Sequence, residues 1–176
     1  MPVRRFVKGL LATAILVTLT AVLPAPASAQ SHGAFPSPDY GPQDVVRIQV
    51  QALADNDTPY RNAGIEVAFR FASPANKRFT GPLWRFIRML YTPTYSPFLF
   101  HKTAHFGAAD IQGSQATLTV VLTAADDKRV GFVFRLSRQA GSPCKACWMT
   151  DEVWPIDLQE ANSPAGNKRK GVSSPG

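Results

Sequence analysis

The chain has 176 residues, 45% of them hydrophobic and 18% charged, the proportions of a globular chain and not of a disordered one. Its 15 prolines and 12 glycines imply short elements with frequent connections, and no solenoid, collagen or coiled-coil period runs through it. The formal charge of +7 belongs to the ends: residues 30–158 hold 13 basic against 11 acidic residues, a net of +2, so the folded part carries no nucleic-acid signature.

Arg4, Arg5 and Lys8 precede an apolar run from Leu10 to Leu23, and the stretch after it ends in Ala27-Ser28-Ala29. That is the three-part layout of a secretory signal peptide, with cleavage expected between Ala29 and Gln30. The apolar run is shorter than the roughly 20 residues of a spanning helix, so no membrane span is expected after cleavage. The expected location is the periplasm or the exterior, or the thylakoid lumen in a photosynthetic source. Residues 30–39 read as a flexible linker and residues 159–176 as a disordered basic tail around Lys168, Arg169 and Lys170. A single domain is expected over residues 40–158.

Gly41-Pro42-Gln43-Asp44 opens a first helix, with proline in the first turn and an acid at the positive end of the dipole. Val45, Val46, Ile48, Val50 and Leu53 give it a buried face, and Asp55-Asn56-Asp57 with Pro59 stops it. A second helix is expected over Asn62 to Ala72, burying Ile65, Ala68, Phe69 and Ala72 and ended by Ser73-Pro74. Thr80-Gly81-Pro82 starts a third, with Leu83, Phe86, Ile87 and Leu90 inward and Arg85 and Arg88 on another face.

From His101 the period switches to two. Ala104 to Ala108, Ala116 to Leu122 and Val130 to Leu136 alternate apolar with polar or small residues, and Asp126-Asp127-Lys128 turns between the last two. A fourth strand is expected from Ala146 to Pro155. The fold class is therefore α+β: three N-terminal helices packed on a curved four-stranded antiparallel sheet, with a cavity at its open end.

No hydrolase, zinc-protease or phosphate-loop motif occurs. Cys144-Lys145-Ala146-Cys147 fits a structural disulfide in an exported protein, or two free thiols, better than a redox centre, since it lies between strands. His101 and His105 are four apart; along a strand that separates them by about 13 Å, too far to share one metal, so no metal site is expected. The weak acid–base candidates are Glu66, Asp110 and Tyr95. Arg85 and Arg88 could clamp an anion, and Trp84, Tyr95 and Phe100 belong to an aromatic group of which a few line a pocket.

The run Ala68-Phe69-Arg70-Phe71-Ala72-Ser73-Pro74-Ala75-Asn76, then Gly81-Pro82-Leu83 with Arg85-Phe86 and Met89-Leu90, Pro93 with Tyr95, and finally Cys147-Trp148-Met149-Thr150, resembles a family of exported bacterial and plastid domains catalogued only as a domain of unknown function. Cys144 stands as a local departure from it. The resemblance implies a fold similar to the cystatin-like cone of ketosteroid isomerases and nuclear transport factors. It carries over no catalytic residues and no cofactor, and such a fold says little about function. The preferred expectation is a non-catalytic module for a small apolar or amphipathic ligand, or for a protein partner. The alternatives are a cofactor-free isomerase or lyase using a pocket carboxylate, or a homodimerising assembly factor.

Overall fold

The computed structural model describes residues 33–158. The expected signal peptide with its cleavage point, and the expected basic tail at residues 159–176, lie outside the described residues. Among the described residues four helices come first: α1 (Pro42–Ala54), α2 (Ala63–Arg70), α3 (Pro74–Thr80) and α4 (Leu83–Leu90). A 3-10 turn (Ser96–Phe98) follows, then β1 (Thr103–Phe106), β2 (Asp110–Gln112), β3 (Gln115–Thr123), β4 (Arg129–Arg138) and β5 (Trp148–Ile156). The class is α+β, as expected, with one more helix and one more strand than the sequence reading held.

The extra helix is α3. Ser73-Pro74 does end α2, but it also begins a new helix. Ser73 takes the N-cap: its Oγ accepts the Asn76 N–H at 3.1 Å, and Pro74 fills the first helical position, where a missing N–H costs nothing. The extra strand, β2, is three residues long and exposed throughout, so it carries no hydrophobic alternation to reveal it. Gly113, at a φ of 60°, forms the tight turn from β2 into β3, a conformation glycine adopts without steric cost.

The sheet is antiparallel in the order β1-β3-β4-β5, with β2 pairing beside β1 on β3. Along β3 every second residue is buried, and β4 follows from Phe132 to Leu136, with Val130 half-buried. Ala116, Leu118, Val120 and Leu122 face Leu136, Phe134, Phe132 and Val130 across the ladder. This face meets Val45, Val46 and Val50 of α1, Ile65 and Val67 of α2 and Phe86 and Leu90 of α4. The three α1 valines are wholly buried, each removal from water contributing about 1.5–3 kcal/mol. Phe98 of the 3-10 turn packs at a tilt on Phe132, ring centres 4.2 Å apart, and edge-on at 5.8 Å to Phe134, so the connection from helices to sheet is part of the core.

Ahead of α1, Ala34 is buried, the Arg70 guanidinium sits 4.2 Å over the Phe35 ring, and its Nη1 donates to the Ala34 carbonyl. Cys144 and Cys147 are joined as a disulfide in the β4–β5 connection. Cys144 Sγ lies 3.5 Å from the Pro36 carbonyl oxygen, a packing contact, since a disulfide sulfur carries no proton.

His101 is 9% exposed, and its Nδ1–H donates to the Phe98 carbonyl at 2.8 Å. Burial lowers its pKa below the ordinary 6.5, with the Phe98 bond and Asp55 opposing. The unfolded chain therefore binds a proton here that the folded one does not, so stability falls as pH drops from 6.5 through the depressed folded value. Urea midpoints taken between about pH 7.5 and pH 5 should decline in the wild type and decline less in His101→Asn. Parallel profiles would show that His101 has no part in the acid sensitivity.

Candidate functional site

The helices do not seal the sheet completely. Between the ends of α2, α3 and α4 and the β4–β5 edge lies a cleft of about 870 Å3. This is within the usual range for a small-molecule site, about 300–1,000 Å3. Leu53, Ala68, Ala72, Phe86, Leu90, Phe98, Phe134 and Val153 give it an apolar interior. Phe79 and Trp154 stand at its exposed margin, 78% and 36% accessible, together with Arg135, Asp151 and Glu152.

A polar strip crosses this apolar lining, and the end of α2 explains it. The last carbonyls of a helix lack intrahelical partners. The Ala72 N–H turns to Phe69 O instead of Ala68 O, and Gln49 Nε2 of α1 donates to the Ala68 carbonyl at 2.9 Å. Lys77 Nζ takes the Arg70 carbonyl at 3.1 Å, and the Thr150 N–H of β5 takes Phe71 O at 3.0 Å. The Ser73 N–H then donates to Thr150 O at 2.8 Å, so the chain after α2 lies against β5 as a short parallel bridge. The Thr150 hydroxyl donates to Gln49 Oε1 at 2.7 Å, Asn76 Nδ2 donates to Thr150 O at 3.3 Å, and the Thr80 hydroxyl reaches Asn76 Oδ1 at 2.8 Å. Gln49 and Thr150 are 4% and 2% exposed, so these bonds are made away from water and their loss is costly.

A β-bulge sets Thr150 in place. Leu136 pairs with Thr150 and Arg135 with Glu152, leaving Asp151 as the extra residue on β5. The alternation breaks there: Trp148, Met149 and Thr150 are all buried in succession, and Arg135 and Glu152 pair across the ladder as an ion pair.

Of the residues singled out from sequence, Tyr95 lines the cleft; its hydroxyl donates to Val153 O at 3.2 Å. Glu66 lies elsewhere, accepting the Tyr60 hydroxyl at 2.6 Å, a bond that raises the Tyr60 pKa above its ordinary value. Asp110 is exposed on β2, bonded to Gln112. Trp84, Arg85 and Arg88 occupy the solvent face of α4, with the Arg88 guanidinium 4.7 Å from the Trp84 ring centre. Phe100 is exposed beyond the 3-10 turn, its N–H donating to Leu53 O. The cleft residues that sequence reasoning missed are Gln49, Asn76, Thr150 and Asp151. Gln49 had a signal: it stands four residues after Val45 and three after Val46, a polar side chain on an otherwise valine-lined helix face.

The span 39–156, which runs from just before α1 to the last residue of β5, matches the family described as Domain of unknown function (DUF4864). The chain belongs to that family. The match takes in every element of the fold and all the residues of the cleft. No curated protein and no solved structure matches the chain.

Proposed function

We propose that this DUF4864 protein is an exported binding module that holds a small, largely apolar or amphipathic molecule in the cleft between α2–α4 and the β4–β5 edge. The observation that carries this reading is the composition of the cleft: an apolar interior of drug-sized volume crossed by one buried hydrogen-bonded strip, Gln49–Thr150–Asn76–Thr80. Apolar walls supply affinity and a few fixed polar groups supply orientation, which is the division of labour in small-molecule sites. Of the carboxylates singled out for the isomerase alternative, Glu66 and Asp110 both stand away from the cleft; the carboxylates at its margin are Asp151 and Glu152, and no apolar burial sets either apart as an acid or base. The antiparallel sheet with helices on one face supports a cystatin-like cone as the wider fold. The signal-like N-terminus and the Cys144–Cys147 pair support export.

The test uses protein recovered from the exported fraction. Native mass spectrometry should show extra mass on the folded species that vanishes on denaturation. A ligand at about 100 times its Kd should then stabilise the domain by about 2.7 kcal/mol in a thermal melt. Ala75→Trp places an indole in the cleft at a half-buried lining position, and should weaken binding by about tenfold or more. Undiminished binding in that variant would move the ligand elsewhere. No stabilisation by any apolar or amphipathic compound would sink the reading.

A further inference from the structure

The near-neutral balance of the folded part conceals a segregation of charge. Between Glu66 and Asp110 there is no acidic residue, while Arg70, Lys77, Arg78, Arg85, Arg88 and Lys102 all fall in that interval. The rest of residues 30–158 is left with seven basic against 11 acidic residues. The cationic interval contains α3 and α4. Among the described residues, Lys77, Arg78, Arg85 and Arg88 enter no ion pair, whereas Lys102 pairs with Asp127, Lys128 with Asp126 and Arg135 with Glu152. Arg78, Arg85 and Arg88 are exposed.

The same two helices carry two of the most exposed aromatics of the structure, Phe79 at 78% and Trp84 at 58%. They stand on either side of the Thr80–Pro82 turn, five residues apart and therefore within about 17 Å of one another along the chain. A large aromatic left in water forgoes burial that the fold could have supplied, so a pair of them among unpaired cations is not an ordinary solvated face. Lys and Arg beside protruding Trp and Phe is the side-chain set that seats a protein in an anionic lipid interface. The cations meet the headgroup charge, at about 1 kcal/mol each near the surface, and the aromatic rings enter the headgroup level. Arg78, Trp84, Arg85 and Arg88 all lie outside the cleft, so it does not gather them into a basic channel that could track a nucleic-acid strand, which favours a broad anionic surface as the partner.

We propose that the α3–α4 face, through Arg78, Arg85, Arg88, Phe79 and Trp84, docks this protein on an anionic phospholipid surface. The docking does not depend on what the cleft holds. Of the docking residues Phe79 also stands at the cleft margin, but Arg78, Trp84, Arg85 and Arg88 are not among the lining residues, so variants at those positions let docking and cleft binding fail separately.

The test is co-sedimentation of the exported-fraction protein with vesicles of pure phosphatidylcholine, or of phosphatidylglycerol and phosphatidylcholine in equal parts. The wild type should sediment with the anionic vesicles at about 0.1 M salt, be released at about 0.5 M, and leave the neutral vesicles alone. Arg85→Glu with Arg88→Glu should lower partitioning by about tenfold or more, and Trp84→Ser by several-fold. Both variants change exposed positions and should melt with the wild type. The tryptophan emission should shift blue on anionic vesicles and lose that shift in W84S, although Trp148 and Trp154 remain. Equal binding to neutral vesicles, or charge reversal that changes binding by less than about twofold, would overturn the proposal. So would salt-sensitive capture by a single-stranded oligonucleotide with no vesicle binding, which would reassign the face to an anionic polymer.

Discussion

Gly64→Ala is expected to destabilise the domain by about 3 kcal/mol or more, the upper end of what overpacking costs. A Cβ at position 64 would lie 2.0 Å from the Ala52 carbonyl oxygen, 2.7 Å from its carbon and 2.9 Å from Asn56 Cα. All three are backbone atoms, so no flexible side chain can step aside. The contact is where α2 crosses α1, and the Gly64 N–H donates to Asn56 O at 2.9 Å just beside it. Asn56, wholly buried, ties the same junction with its side chain: Oδ1 accepts the Ile65 N–H and Nδ2 donates to Asp57. Pushing the helices apart would therefore break the junction as well as the packing. A melt of Gly64→Ala should come down by about 10 °C or more. Gly141→Ala is the control: nothing lies within 4 Å of a Cβ there, and its melt should be unchanged. A Gly64→Ala protein that melts with the wild type would mean that α1 and α2 are not in this register.

The second large effect is expected from Gln49→Leu. It leaves the Ala68 carbonyl without its donor and the Thr150 hydroxyl without its acceptor, both in buried surroundings. A stranded buried polar group costs about 1–3 kcal/mol, so the pair should cost about 3 kcal/mol. Thr150→Val strands only Gln49 Oε1 and should cost less. Replacing Gln49 when Thr150 is already valine should cost less than replacing it in the wild type, because the shared bond is then already gone. Urea midpoints for the two single variants and the double variant measure that coupling. Additive losses would show that Gln49 and Thr150 act independently. Because both residues line the cleft, the same variants should alter the binding of any ligand that hydrogen-bonds to the strip, and leave purely apolar ligands less affected.

The helical half and the sheet half were legible because each has its own period. Val45, Val46, Val50 and Leu53 recur on one side of α1, and Leu118, Val120 and Leu122 on alternate positions of β3. The errors are at places where one residue does two jobs or has no pattern. Ser73-Pro74 stops one helix and starts another, and only the Ser73–Asn76 bond shows the second role. The exposed β2 has nothing to alternate. Candidate site residues chosen by chemistry alone, such as Glu66, Asp110, Arg85 and Arg88, proved to be spread over several surfaces. Polar groups near one another in sequence need not share a cavity.

By itself the sequence determined the α+β order, the buried stripe of each long element, and the absence of acidic residues between Glu66 and Asp110. These are local or compositional properties, set by side-chain period and charge. Only the tertiary structure decided where a ligand could sit. The cleft gathers Gln49 of α1, Asn76 and Thr80 of α3, Tyr95 after α4 and Thr150 of β5. Their meeting depends on two features that no periodicity encodes: the unfilled carbonyls at the end of α2 and the bulge at Asp151 that turns Thr150 toward them. A buried carbonyl must find a donor, and which one it finds is settled by packing between elements: Ala68 O takes Gln49 of α1 and Phe71 O takes the Thr150 N–H of β5.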